Sequence, residues 1–439
     1  MKTTMYRRSL AAMFCGWLLV QPIAGLRAGE RLGCGVYWDP THFAQSEVYY
    51  APALSAVYSP LHHLVFVFGK GAPDGVLTLW LYGDTPDGWR YAGQSYPLGR
   101  VPLISSPAVV VNEQTGRIDV VATGMTEVEA DDPPVAGLYH WYFDPVSGWG
   151  RNAHETLVDA GDFGEPSLAR NSVNGNLEVI GMGGDPARVY RWSYAPLADG
   201  WGNSGHRELF SEEPIVTQPV VFFNDTSRRI EVVWGTEREW VHEAWCEDPL
   251  APDEPFRCDI SEIVAAVTHW TWTSGVGWED MGVLSGVPAT PLAAPPVAVV
   301  NREHGHVDLF SVAQLPASLE GHHRLLHWYW LANGKGWGQD GHEEFLGATQ
   351  LDSPPVTVYN RTTQSPEVYA IRMDGTPLQW IWNGDRWVDR PAGSIRLKGP
   401  VGLAAAYSPA TRATHVFGLS DANPSCIAHW DQHALPIWQ

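Results

Sequence analysis

Six times along the chain a polar residue able to hydrogen-bond stands immediately before a tryptophan: His140-Trp141, Arg191-Trp192, His269-Trp270, His327-Trp328, Gln379-Trp380 and His429-Trp430. An indole face suits the C–H face of a sugar ring, and stacking over about 40 Å² contributes only ~1 kcal/mol. An imidazole or guanidinium beside it would supply the hydrogen bonds that orient hydroxyls. A second recurring set is acidic: Asp119, Glu178, Glu231, Asp308 and Glu367 follow one another at equivalent places in five repeats. A catalytic carboxylate is needed once, whereas a group that ties repeats together is needed in each. These acids are therefore read as structural, paired wherever they are buried. No catalytic residue is assigned, because no nucleophile elbow, phosphate-cradling glycine loop or zinc-ligand spacing occurs. No cofactor is expected. Calcium is the ion that acidic loops would take, but no Asp-x-Asp-x-Asp-Gly run is present.

Residues that recur this way need a repeated scaffold. Seven units open near residues 52, 107, 166, 219, 296, 355 and 400, each with Pro and a short apolar strand such as Pro107-Ala-Val-Val-Val. A turn follows, often begun by Asn (Asn112, Asn171, Asn224, Asn301, Asn360), then the strand bearing the acid. A third strand centres on Trp with an aromatic two residues on, as in Trp80/Tyr82, Trp141/Phe143 and Trp192/Tyr194. A further Trp, usually after Gly, comes seven to nine residues later at Trp89, Trp149, Trp201, Trp278, Trp337, Trp387 and Trp438. Short β-branched and aromatic strands parted by Gly, Asn and Asp turns make the chain all-β. Four antiparallel strands at this period predict a single seven-bladed β-propeller over 29–439. Blade four carries an insertion at about 236–264 with a Pro- and acid-rich loop. Loops of varying length after each second strand mark the face for recognition, and they are acidic (Glu127, Glu129, Asp159, Asp162, Glu165, Glu320).

The two ends complete the picture. Lys2, Arg7 and Arg8, an apolar stretch from Ala11 to Val20 and the small residues Ala24, Gly25 and Ala28 make 1–28 a signal peptide, too short to span a bilayer. The expected destination is secreted, periplasmic or extracellular. Four cysteines then remain, and an even number in an exported chain predicts two disulfides. Cys246 and Cys258 bracket one loop; Cys34 and Cys426 stand near the two ends. Cys34-Gly-Val-Tyr-Trp-Asp is expected to supply the missing outer strand of blade seven and close the ring. A net charge of −21 argues against a nucleic-acid partner, and 44% hydrophobic residues argue against disorder. No later apolar run is long enough for a membrane span.

The stretch Pro107 to Trp149, with Gly-Arg-Ile-Asp-Val-Val, Leu-Tyr-His-Trp-Tyr and Gly-Trp, resembles the repeat of the PLL-type fucose-binding lectins. The resemblance runs from about Pro52 to Trp438. It implies a seven-bladed propeller with sugar sites between blades, at the His-Trp, Arg-Trp and Gln-Trp pairs above. After the acid-bearing strand those lectins carry Arg-Gly, whereas this chain reads Val-Val-Ala-Thr-Gly124 or Val-Val-Trp-Gly235. The expected function is a lectin-like, carbohydrate-binding protein whose weak sites act together on glycans or glycoconjugates. Two alternatives are an exported polysaccharide-active enzyme using the acidic loops, and a propeller that binds protein.

Overall fold

The computed structural model describes residues 31–34 and 54–433, less short stretches of which the longest are 127–134, 285–291, 315–322 and 332–343; over 31–34, 90–95, 237–248 and 251–266 it describes the backbone alone. The expected leader 1–28 lies outside the described residues, as do Trp89, Trp337 and Trp438. Strand β1 is Arg31–Cys34. Blade one is β2–β5 (Leu54–Ser59, Leu64–Lys70, Val76–Gly83, Arg90–Pro102), and blade two is β6–β9 (Ala108–Val111, Ile118–Thr126, Val135–Phe143, Thr156–Ala160). Blade three is β10–β13 (Ser167–Arg170, Leu177–Gly183, Arg188–Tyr194, Glu208–Ser211), and blade four is β14–β17 (Val220–Asn224, Arg229–Asp248, Ala251–Thr273, Gly277–Leu284). Blade five is β18–β21 (Val297–Asn301, His306–Gln314, His323–Leu331, Glu344–Phe345), and blade six is β22–β25 (Val356–Asn360, Ser365–Ile371, Pro377–Trp382, Trp387–Pro391). Blade seven is β26–β28 (Leu403–Ser408, Ala413–Leu419, Cys426–His433), with β1 hydrogen-bonded to β28. These are seven four-stranded antiparallel sheets, as the repeat predicts. Among the described residues no α-helix occurs, and no helix is long and apolar enough to cross a membrane.

The innermost strands touch in sequence around the axis, and β2 touches β26, so the hub is a closed ring. Burial follows the same plan. Seven apolar clusters each straddle one seam: Phe68, Leu79 and Trp141 between blades one and two, Val121 and Trp192 between two and three, and so on to Tyr82 and Phe417 between one and seven. The third-strand tryptophans Trp80, Trp141, Trp192 and Trp380 are fully buried in these clusters. Truncating one would cost about 3–5 kcal/mol.

Period-two alternation makes each seam two-sided. Trp141 points back toward blade one, while its neighbour His140 points forward to blade three. The asparagine turns lock the register at the hub. Asn112, Asn171, Asn224 and Asn360 each accept, through Oδ1, a backbone N–H two residues ahead. Asn224 and Asn360 also donate through Nδ2 to Glu231 (2.6 Å) and Glu367 (2.8 Å). Both lie in Asn-x-Thr sequons and are buried. An amide nitrogen committed to a buried carboxylate is closed to transfer in the folded chain. Expressed through a eukaryotic secretory route, the folded protein should carry no glycan at Asn224 or Asn360; intact mass before and after glycosidase treatment checks this.

The blade-four insertion is strand rather than loop. β15 and β16 stay paired from Ile230–Trp272 to Asp248–Ala251, a ribbon that runs roughly 40 Å beyond Gly235 at ~3.3 Å per residue. Its register sets Cys246 opposite Phe256 and Cys258 opposite Ala244, one diagonal step apart. At the other pair of cysteines the backbone register sets Cys34 directly opposite Cys426.

Candidate functional site: the seams between blades

Register brings the acid of the second strand to the polar residue of the third. Asp119 faces Tyr142 and Val121 faces His140 across β7–β8, so Asp119 and His140 are diagonal neighbours on one face. The same offset recurs for Glu178 with Arg191, Glu231 with His269, Asp308 with His327 and Glu367 with Gln379. In blades two, three and five an aromatic residue of the next blade then covers the pair. His140 Nε2 lies 3.0 Å from Asp119, and its Nδ1 accepts the Trp201 Nε1–H at 3.1 Å. Arg191 donates to Glu178 (2.9 Å) and Glu208 (2.7 Å), with its guanidinium 5.5 Å from the Trp278 ring centre. His269 lies 3.1 Å from Glu231. His327 lies 2.9 Å from Asp308, stacked on Phe310 and edge-on to Trp387.

Blade six replaces the direct ion pair with a hydrogen-bonded chain. Gln379 Nε2 donates to the Tyr369 hydroxyl, which donates to Glu367, and Gln379 Oε1 accepts from Arg390. Blade seven pairs His415 with His429 at 3.2 Å, against Phe417 and Tyr82. In blade one the equivalent places hold Phe66 and Leu79, and that seam is apolar.

Of the twelve side chains singled out by the sequence, nine are buried; Arg191, Trp270 and Trp328 are half-buried. His140 has both ring nitrogens engaged. Trp141 and Trp192 give their indole N–H to Glu155 and Asp159. The nine buried side chains are packed within and between blades, and the surface a ligand could reach lies at the half-buried three and outward of them.

That outer surface is richest between blades two and three. The Arg117 guanidinium lies 4.2 Å from the Tyr142 ring centre and 5.4 Å from that of Tyr194, a cation between two aromatic faces. Tyr142 stacks at 4.2 Å on His154, whose Nε2 has no hydrogen-bond partner. Arg117, Tyr142, His154, Arg170 and Tyr194 are all half-buried. Beneath them Asp119 accepts from Arg117 (2.9 Å) and Arg170 (3.3 Å) as well as His140. Comparable mouths occur at Arg191, Glu208 and Trp278, and at His306 and Tyr329. Sequence reasoning passed over Arg117, Tyr142 and His154. For Arg117 the available signal was the basic residue two places before the acid, as again at Arg229 and His306, which shares its face.

Neighbours decide the charge of each seam. Burial raises the Asp119 pKa, but the His140 and Arg117 partners outweigh it and hold the carboxyl below its ordinary value. Asp308 is likewise lowered by His306 and His327 against its burial. At Glu367 burial wins over the neutral donors Thr414, Tyr369 and Asn360, and the pKa is raised. Of the loop acids, Asp159 is tied in by Trp192 and Arg207, whereas Asp162 is exposed. Among the described residues no three His, Cys, Asp or Glu come together as a metal site.

No protein-family model matches the chain, and no curated protein matches it. Among solved structures it is similar to the SapL1 lectin in complex with alpha methyl fucoside, at 10% identity over 88% of this chain and 94% of that one, with a TM-score of 0.39. It is similar to the fucose-specific lectin from Aleuria aurantia, at 13% identity over 80% and 98%, TM-score 0.40. That lectin is a six-bladed propeller, one blade fewer than here. It is also similar to an oligogalacturonate lyase in complex with manganese, at 8% identity over 93% and 92%, TM-score 0.44. The likeness to all three is one of fold.

Proposed function

We propose that the protein is an exported carbohydrate-binding propeller that takes glycans at the outer mouths of its seams. The observation that carries this reading is the seam between blades two and three. Arg117 is wedged between two tyrosine rings there, with the unpartnered His154 nitrogen alongside. A planar guanidinium offers a fork of donors to vicinal hydroxyls, and a ring beside it meets the C–H face of the sugar. The buried Asp119 fixes the fork's orientation from below. Such a contact is weak singly, and mouths at several seams would gain strength together on a glycan-coated surface. The nine buried residues among the twelve then act as the frame of the sites. Export by residues 1–28 would bring the sites to such surfaces.

Binding to an immobilised glycan panel, at high protein concentration and with calcium present, tests the reading. Arg117→Lys keeps the charge beside Asp119 and loses the planar fork. Combined with Arg191→Lys, it should reduce retention on the best glycan at least tenfold while the circular dichroism spectrum of the folded protein is kept. A panel with no glycan above background would reject the proposal.

A further inference from the structure

The prolines that open the innermost strands of blades two to six line the axial channel. A residue without an N–H suits the first position of a strand that has no partner there, and Pro107, Pro166, Pro219, Pro296 and Pro355 make this throat apolar. The cavity they enclose is about 280 Å³. The residue just before each proline differs from blade to blade. It is Ser106, Glu165 and Gln218 in blades two, three and four, but Pro295 and Pro354 in blades five and six. One arc of the throat is therefore polar and the opposite arc apolar. Gln218 is buried, lines the cavity, and its Nε2 has no hydrogen-bond partner. A buried amide left this way costs about 1–3 kcal/mol unless something in the throat accepts from it.

We propose that this throat is a single binding site for one small, uncharged, hydroxylated ring, held on its polar edge by Glu165 and Gln218 and on its C–H face by the prolines of blades five and six. The volume admits one monosaccharide or cyclitol ring. Two-sided chemistry selects the class, since a pyranose or cyclitol has both hydroxyls and an apolar face. Glu165 strengthens the choice of an uncharged ligand. Enclosure by the channel walls pushes its carboxyl up to about 8, against the Ser106 hydrogen bond and the Lys70 charge that pull it down. Near pH 7 it is a neutral acid, able to donate to one hydroxyl and accept from another. Ser106 precedes β6 and Lys70 ends β3; both face Glu165. The site lies on the axis, apart from the seams, and does not rest on their reading.

Ligand-observed saturation-transfer NMR on the full-length folded protein tests it, with D-glucose, D-galactose, L-fucose and myo-inositol as probes at pH 6.5 and 9.5. At least one probe should bind at pH 6.5, and its affinity should fall about tenfold or more at pH 9.5 as Glu165 loses its proton. Glu165→Gln should bind equally at both pH values. Gln218→Leu should abolish the pH-dependent part of the signal, which belongs to the throat. Ala405→Phe fills the throat from blade seven and should also abolish that part, which keeps the test open if Gln218→Leu does not fold. Arg117→Lys should leave the pH-dependent part unchanged, whatever it removes at the seams. No signal from any probe at pH 6.5, a signal with no pH-dependent part, or a pH-dependent part that survives both Gln218→Leu and Ala405→Phe, overturns the proposal; so does loss of that part in Arg117→Lys.

Discussion

Replacing Asp119 with alanine should cost about 3–5 kcal/mol of stability, read as a large fall in the urea midpoint. Asp119 is fully buried and receives Arg117, His140 and Arg170. Arg170 belongs to blade three, so the carboxylate joins two blades as well as two strands. Without it, two guanidiniums and an imidazole face one another with no counter-charge. Asp119→Asn keeps an acceptor and should cost less. The pH dependence has a definite sign. A carboxyl whose folded pKa lies below its unfolded value stabilises the protein above the unfolded pKa, and loses that contribution as pH falls through the folded one. The gap between wild type and Asp119→Asn should therefore be full near pH 6 and shrink on acidification below about 4. Glu367 occupies the same place in blade six with its pKa raised, so its sign reverses. Its contribution is present below the unfolded value and lost as pH rises through the folded one, and Glu367→Gln should gain on wild type toward alkaline pH. Urea midpoints of the two variants across pH 3–9 give opposite slopes if neighbours, rather than repeat position, set each charge.

That contrast also marks what could be read from the chain alone. Blade number and strand order were legible because Pro, Asn, acid and Trp recur in fixed order, and each has a mechanical job in every blade. The acids were readable as structural from their recurrence. Their partners were not, because pairing Asp119 with His140 requires the β7–β8 register, which strand composition does not specify. The His-Trp pairs looked like open sugar sites since the chain does not show that Trp201, from the next blade, closes over His140. Pro and acidic residues between Cys246 and Cys258 suggested a loop, yet the segment pairs as a ribbon. Glu165 was visible as one loop acid among many. Its position in the channel depends on all seven innermost strands meeting, a property of the closed ring and of no local segment.

Cys34→Ser should lower stability by about 2–4 kcal/mol under oxidising conditions, and Cys426→Ser should match it, with no further loss in the double variant. The backbone register is the reason. Directly opposed residues on antiparallel strands have Cα atoms about 4.5–5.5 Å apart, within the span of a disulfide, whereas diagonal neighbours at about 7–8 Å fall outside it. Cys34 and Cys426 are opposed; Cys246 and Cys258 are diagonal. A bridge between residues near the two ends of the chain removes the entropy of a very long loop, nominally about 5–6 kcal/mol, of which real bridges deliver less. The hub bounds the loss further. The contact of β2 with β26, and the cluster of Leu54, Tyr82, Ala404 and Phe417, close the ring without any help from β1. Cutting the bridge should therefore loosen the rim of blade seven and spare the hub. Hydrogen exchange should rise along Cys426–His433 while Leu403–Ser408 stays protected, and a non-reducing peptide map should join Cys34 to Cys426. Free thiols at both positions, with midpoints unchanged in the serine variants, would assign the closure to the hub alone.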